Sequence, residues 1–496
     1  MTTTSIGRHP KKAFLVLFFI EIWERFGYYG MASLMVLYMV ERLGFADAQT
    51  DIIWGAFSAL VYSMPMLGGY LGDRVLGARR TLVLGAITLG LGYLLLSIPL
   101  TETLFPAMGL IALGNGLFKV NPNNLVSRLY EGQHSKLDIL FTLYYTSLNI
   151  GSFVSILLTP WIKDQTNWMI TLGPLHFDSW HLAFGLSAIG LTLGLLNYGA
   201  FQHYLRPYGT APDFEKLKWR KLAVVIAASL LIAYLLSEII RHRTLAMGVV
   251  GLFFILMIYV FAHLLLNGKE HERKRIIACI AFTLVSAIWA IYNQQIYTSL
   301  TLFALRNVEH TLLGVHVAPA QFQDLNQFWL VLLALPLAWL YNRMQKSSHG
   351  DFSIAVKYTA GMYLLALAFF LYAASGFTAQ AGIVSSWWLV AGYAAQSLGE
   401  LLISALGFSM VSQLVPERSR GIVMGAWFLG MGVSNYVGGA IAGLAGIPAG
   451  ITAATTTLPI YMRLFTGLGV GALVCALVIT VVIPLLNTLM VKTEVT

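Results

Sequence analysis

The chain has 496 residues, 57% hydrophobic and 11% charged, with a mean hydropathy of +0.73. A soluble chain carries about 25% charged residues, so these fractions exclude a soluble globular, disordered or fibrous protein and leave a polytopic membrane protein. The excess of 31 Lys and Arg over 22 Asp and Glu, a net charge of +9, is first a topology signal and not a sign of a nucleic-acid partner.

A spanning helix needs about 20 mostly apolar residues. The apolar runs predict spans at 12–41, 51–72, 80–99, 104–127, 138–162, 180–203, 219–239, 244–266, 274–304, 321–342, 354–375, 385–413, 420–445 and 459–489. They are long and continuous, not short and alternating, so the class is all-α and not a β-barrel. The first run contains Glu21, Glu24 and Arg25 and continues to Val40. No small-residue cleavage site follows a short apolar core, so this run reads as a retained span and not a signal peptide.

Lys and Arg divide unevenly between alternate connections. One set, with Arg8, Arg79, Arg80, Lys136, Lys218, Arg273, Lys346, Arg418 and Lys492 among its members, holds 23, and the other holds 5, including Arg42, Lys163 and Arg306. This bias places both termini in the cytoplasm. The spans at 219–239 and 244–266 carry no charge in their middle stretches and are flanked by basic stretches. They read as a peripheral hairpin in a linker over 206–270, between six-helix bundles over 1–205 and 271–496. Cys279 and Cys475 lie in apolar runs, with no disulfide or metal spacing.

A charge at the bilayer centre costs about 2.5–3.5 kcal/mol, so charges within spans are the main functional pointers. Glu21, Glu24, Arg25 and Tyr28 recur at i, i+3, i+4 and i+7 on one helix face, with Tyr29 one turn beyond Arg25. Such a face must look into protein or a water-filled cavity; a structural ion-pair knot is the alternative. Lys119 ends the Gly114-Asn115-Gly116 run, near Asn121, Asn123 and Asn124; snorkelling is its alternative. Glu400 stands in the run Gln396 to Ser404 without a local cation and needs a partner from another helix, or a proton. Carboxylates kept from water are natural proton carriers. Tyr62, Asn149, Tyr292 to Gln295 and Asn326 extend the polar set; each Asn could equally be packing glue, worth about 0.6 kcal/mol. Trp289 and Trp427 are candidate lining residues, and Trp427 is too central for an interfacial belt. No zinc-binding, nucleophile-elbow or phosphate-loop motif is present, so no catalytic residue and no metal site is expected.

These residues carry a family resemblance. Glu21-Ile22-Trp23-Glu24-Arg25-Phe26-Gly27-Tyr28-Tyr29 resembles the ExxER[FY]xYY motif of the proton-coupled oligopeptide transporters (POT/PTR). The run Phe141 to Ser152, with Asn149 and Gly151, is similar to that family's FYxxINxGS signature. The run from Gly69 through Asp73 and Arg74 to Arg80 resembles the loop between helices two and three of the major facilitator superfamily. Gly399-Glu400-Leu401, Pro416 to Gly421 and Trp427-Phe428-Leu429 are similar to the family's helix ten and eleven region.

The resemblance implies a major facilitator fold. Its two six-helix bundles, with a two-helix hairpin between them, close alternately on a central site. It implies import of di- and tripeptides, and peptide-like drugs, with protons as co-substrate and no other cofactor. The setting would be the lipid bilayer of a bacterial inner membrane, and a monomer is expected. Arg25 and Lys119 would face the peptide carboxylate, and Glu400 its amino terminus. Tyr28, Tyr62, Asn149 and Asn326 would contact the peptide backbone or termini, and Tyr29, Trp289, Ser404 and Trp427 would complete the peptide site. Glu21 and Glu24 would exchange protons and pair with Arg25 or Lys119, and Lys119 and Glu400 would act in gating.

Two positions depart from the family pattern. Many members carry Arg where Ala32 stands, and Glu where Asn293 stands, so their extracellular ion pair is absent. Glu21, Glu24 and Glu400 would then suffice for coupling. A transporter of nitrate or another solute is the alternative within the class, and Glu400 would repel an anion. An intramembrane enzyme or a receptor is the alternative outside it.

Overall fold

The computed structural model describes residues 9–130, 134–165, 169–345, 352–448, 451 and 453–490. Arg8, Lys346 and Lys492 of the basic set lie outside the described residues, as do the side chains of Lys136, Phe141, Thr142 and Glu417. The chain is almost wholly helical. Its spans in order are α1 (Pro10–Leu37), α2 (Asp47–Val75), α3 (Ala78–Leu96), α4 (Thr101–Leu129), α5 (His134–Asp164), α6 (Ser179–Leu205) and α7 (Trp219–Arg241). They continue with α8 (Arg243–Asn267), α9 (Glu272–Asn307), α10 (Pro319–Tyr341), α11 (Ile354–Thr378), α12 (Trp387–Leu414), α13 (Arg420–Ala445) and α14 (Ala454–Leu489). Among the described residues, eleven are long and apolar enough to cross a membrane. With α1, α5 and α12, which are 28, 31 and 28 residues long, they make the fourteen that hydropathy predicts.

Contacts divide the chain into two compact units, Met1–Tyr38 with Leu60–Ala246, and Met39–Ala59 with Met247–Thr496. The division cuts through α2, and it separates α7 from α8 within the hairpin. Both hairpin helices are poorly covered: 33% and 17% of their most apolar stretches are buried.

In the first unit, small residues allow the close crossings that membrane helices use in place of a hydrophobic driving force. A Cβ on Gly116 would meet Met64 Cβ at 2.2 Å, and one on Gly68 would meet the Gly116 carbonyl at 2.0 Å. α2 restarts at Pro65 after a break at Met64, because proline cannot donate to the helix ladder. α5 is pressed onto α1 at Gly151, where a Cβ would lie 2.4 Å from the Ile22 carbonyl and 2.9 Å from Arg25 Cβ.

The α2–α3 loop closes on the segment after α6. Thr210 Oγ1 donates to the Gly72 carbonyl at 2.6 Å and accepts from the Ala78 N–H at 2.9 Å. Arg79 donates to the Asp213 carbonyl at 3.0 Å and Arg80 to the Glu215 carbonyl at 2.7 Å. Gly77 has φ of +100° and lies against Asp213, a conformation that glycine alone adopts readily. The basic residues of this loop are thus also structural clamps.

In the second unit, α11 and α12 cross closely at Gly361 and Gly399, whose added Cβ atoms would each approach the other's carbonyl, at 3.0 and 2.8 Å. α9 continues through a short 3-10 turn at Gln294–Ile296 to Asn307. A tight hairpin pairs Thr311–Leu312 with Val315–His316, and a second, in the first unit, pairs Ile170–Leu172 with Leu175–Phe177.

Candidate functional site

The charged face of α1 is buried, with Glu21 1%, Glu24 0% and Arg25 6% exposed. Arg25 Nε lies 3.2 Å from Glu21 Oε1 and 2.6 Å from Glu24 Oε2. Glu24 Oε1 accepts a long bond of 3.4 Å from Asn115 Nδ2 of α4. The Tyr144 hydroxyl of α5 donates to Glu21.

Lys119 faces the same cluster from within α4, where the helix is interrupted between Lys119 and Asn121. It lies within electrostatic range of Glu21, Glu24 and Arg25, and its ammonium sits 4.8 Å above the Tyr62 ring. Arg25 lies 5.9 Å from the Tyr28 ring centre, and Tyr28 meets Tyr29 edge to face at 5.5 Å. Two acids and two bases thus share one low-dielectric site with no formal net charge. Such an arrangement avoids an uncompensated buried ion. A proton added to either acid would weaken its hold on the cations and leave positive charge for an anionic group. Asn149, on α5, is half-buried and donates to the Tyr145 carbonyl of its own helix at 3.0 Å.

The acidic pole is in the second unit. Glu400, midway along α12, accepts from Asn326 Nδ2 of α10 at 3.0 Å. Asn326 is 5% exposed and also donates to Ser397 Oγ at 3.1 Å, while Ser397 donates back to the Asn326 carbonyl. The partner that Glu400 needs from another helix is thus a neutral amide. Ser404 lies one turn beyond Glu400 and is half-buried. Trp427, on α13, is 8% exposed and meets Phe428 edge to face at 5.2 Å, while Trp289 on α9 is half-buried. Lys119 and Glu400 belong to different units.

At the two departures from the family pattern, Ala32 is buried and Asn293 is half-buried. The neutral residues that follow Asn293 have other work. Gln294 donates to Ser58 Oγ at 3.1 Å, and Gln295 donates to the Gly438 carbonyl at 3.0 Å, tying α9 to α2 and α13.

Sequence reasoning missed Asn115, Tyr144 and Tyr93 as members of the first cluster. Tyr93 is fully buried and lies within electrostatic range of Glu24 and Tyr28. Asn115 stands between two helix-packing glycines and Tyr144 one turn before Leu148 and Asn149, so both were in view, but nothing local assigns a partner. It also missed an ion pair of Asp47 with Arg306, 259 positions apart, because Arg306 read as a loop cation.

The chain matches the family described as PTR2, POT family, over residues 79–458. It is 39% identical over 441 residues to dipeptide and tripeptide permease A of Escherichia coli K12, covering 88% of this chain and 85% of that protein. It is 38% identical over the same length to dipeptide and tripeptide permease A of Salmonella typhimurium, again covering 88% and 85%. Among solved structures, it superposes on tetrameric PepTSo2 with a TM-score of 0.86 at 39% identity, over 97% of this chain and 99% of that one. It also superposes on a peptide transporter POT in complex with sulfate, with a TM-score of 0.83 at 29% identity, over 98% and 97%. With fourteen long helices among the described residues, eleven of them apolar enough to cross a membrane, and with these structural neighbours, the chain is a multi-pass membrane protein of major facilitator type, and it belongs to the POT family.

Proposed function

We propose that the protein is a proton-coupled symporter that imports di- and tripeptides by alternating access across a bacterial inner membrane, with both termini cytoplasmic. The observation that carries this reading is the pairing of chemistries. One unit offers Arg25 and Lys119 with two protonatable carboxylates, and the other offers Glu400 held by a neutral donor.

A peptide of any sequence is a zwitterion with a fixed backbone and variable side chains. A broad-specificity transporter therefore takes its affinity from the termini. The carboxylate is met by Arg25 and Lys119, the ammonium by Glu400, and the backbone by Tyr28, Tyr62, Asn149 and Asn326. Tyr29, Trp289, Ser404 and Trp427 adapt to side chains.

Protonation of Glu24 or Glu21 frees Arg25 from a competing carboxylate, so proton capture and peptide capture favour each other. This is positive coupling of two ligands through one ion pair. Each elementary charge moved inward gains about 2.3 kcal/mol per 100 mV, which supplies the driving force. A carboxylate without a cation, such as Glu400, disfavours nitrate or any other small anion. The activity is transport, with protons as co-substrate and no resident cofactor. The single chain, carrying both poles, is the functional unit.

The test is uptake of labelled dialanine by proteoliposomes of the purified protein, with and without an inward proton gradient. Accumulation above equilibrium only with the gradient is expected; accumulation independent of it would sink the coupling.

A further inference from the structure

We propose that Asp51 is a proton-binding site, one helical turn from Asp47 in a buried cluster with Arg306 and Tyr461. The proposal rests on the proton-coupled reading above and adds an acid that neither the α1 motif nor Glu400 supplies. Asp47 and Asp51 stand at i and i+4 in the first turns of α2, hence on one face, and are 3% and 1% exposed.

Asp47 is fully engaged. Arg306, in the last turn of α9, grips both its oxygens, with Nη2 donating to Oδ1 at 2.8 Å and Nη1 to Oδ2. The Ile447 N–H also donates to Oδ2, at 3.2 Å. Arg306 is engaged as well, for Nη1 also donates to the Tyr461 hydroxyl of α14 at 2.8 Å.

Asp51 shares this environment without sharing these bonds. Its Oδ1 is buried and has no hydrogen-bond partner among the described residues. The groups facing it are Asp47 from its own helix, Arg306 from α9 and Tyr461 from α14. α13 approaches the same turn at Gly439, where a Cβ would lie 2.3 Å from the Asp51 carbonyl. Tyr297 of α9 packs against Trp54, three residues further along α2.

The charge balance decides the protonation state. Two carboxylates face one guanidinium, and that guanidinium is bidentate on Asp47. With both acids ionised, the cluster would hold an uncompensated buried anion, which is strongly unfavourable. One proton on Asp51 removes that charge and leaves the Asp47–Arg306 pair intact. When the proton leaves, the Asp51 carboxylate competes with Asp47 for Arg306. The clasp of α2 with α9, α14 and the Ile447 turn must then loosen or rearrange. Binding and release of a proton at Asp51 therefore set the strength of that clasp, as a further coupling acid beside Glu21 and Glu24.

The experiment is infrared difference spectroscopy of the full-length protein across a pH titration, with Asp51→Asn beside the wild type. The expected result is a protonated-carboxyl band in the wild type that titrates and is lost in Asp51→Asn. An unchanged set of carboxyl bands would overturn the proposal. Should Asp51→Asn not be recovered folded, Asp51→Glu carries the same test. A band displaced by that exchange supports the site, and an unmoved one refutes it. In proteoliposomes, Asp51→Asn is expected to alter the pH profile of gradient-driven dialanine uptake while keeping peptide counterflow; a profile superimposable on the wild type would refute the coupling role. Failure of the wild type itself to accumulate dialanine counts against the transport reading instead, and the infrared comparison still decides Asp51.

Discussion

Asn326 Nδ2 donates to Glu400 Oε2 at 3.0 Å across 74 positions of sequence, joining α10 to α12 through a neutral amide instead of a cation. A carboxylate held this way keeps its charge available for an incoming ammonium. An Arg or Lys in the place of Asn326 would already have neutralised it.

Glu400→Gln should therefore weaken binding of peptides with a free amino terminus more than binding of N-blocked ones. A hydrogen bond to a charged group is worth about 1.5–3 kcal/mol, or roughly tenfold to a hundredfold in affinity. Competition by dialanine and by N-acetylated dialanine for labelled peptide uptake measures the difference. Equal loss for both would remove Glu400 from the amino-terminal role.

Asn326→Leu leaves Glu400 without its donor. Thermal unfolding in detergent should report a loss of about 1–3 kcal/mol for the stranded carboxylate, and dialanine affinity should fall as well. An unchanged melting temperature with unchanged affinity would show that the Asn326 bond carries neither stability nor positioning.

Glu24→Gln should abolish gradient-driven accumulation while preserving some peptide counterflow, since counterflow needs no net proton movement. The amide keeps the shape and can still accept from Asn115, so binding geometry is disturbed little. Full accumulation by Glu24→Gln under an inward proton gradient would take this residue out of the proton path.

Gly151→Leu tests the α1–α5 crossing that supports Arg25. Its Cβ would lie 2.4 Å from the Ile22 carbonyl and 2.9 Å from Arg25 Cβ, so α1 must shift. Overpacking of this kind costs about 1–3 kcal/mol and displaces the ion-paired face, and uptake should fall with it. Gly199→Leu, on α6 with nothing within 4 Å of its Cβ position, is the matched control and should leave melting temperature and uptake near wild type.

The fold was legible because span position is a local property. Twenty apolar residues announce a spanning helix wherever they occur, and all fourteen predicted runs correspond to helices. The α1 face was legible for a related reason, since helical spacing alone puts Glu21, Glu24, Arg25 and Tyr28 together. The partners were not. Asn115 on Glu24, Tyr144 on Glu21 and Asn326 on Glu400 depend on which helices cross and at what height. In lipid that choice rests on small-residue packing, which leaves little trace in hydropathy. Gly151 and Gly116 were visible as residues but not as the contacts that bring Arg25 and Lys119 into place.

The sequence by itself determined the membrane class, the number of spans, and the short set of charges that had to be buried or functional, because the bilayer penalises every charge by the same rule. Only the tertiary structure decided how those charges balance. It joined Glu21, Glu24, Arg25 and Lys119 into one neutral cluster, gave Glu400 an amide instead of a cation, and set two acids, Asp47 and Asp51, against the single guanidinium of Arg306. Electrostatic energy depends on distance and solvation, and both are fixed by helix packing between residues far apart in the chain.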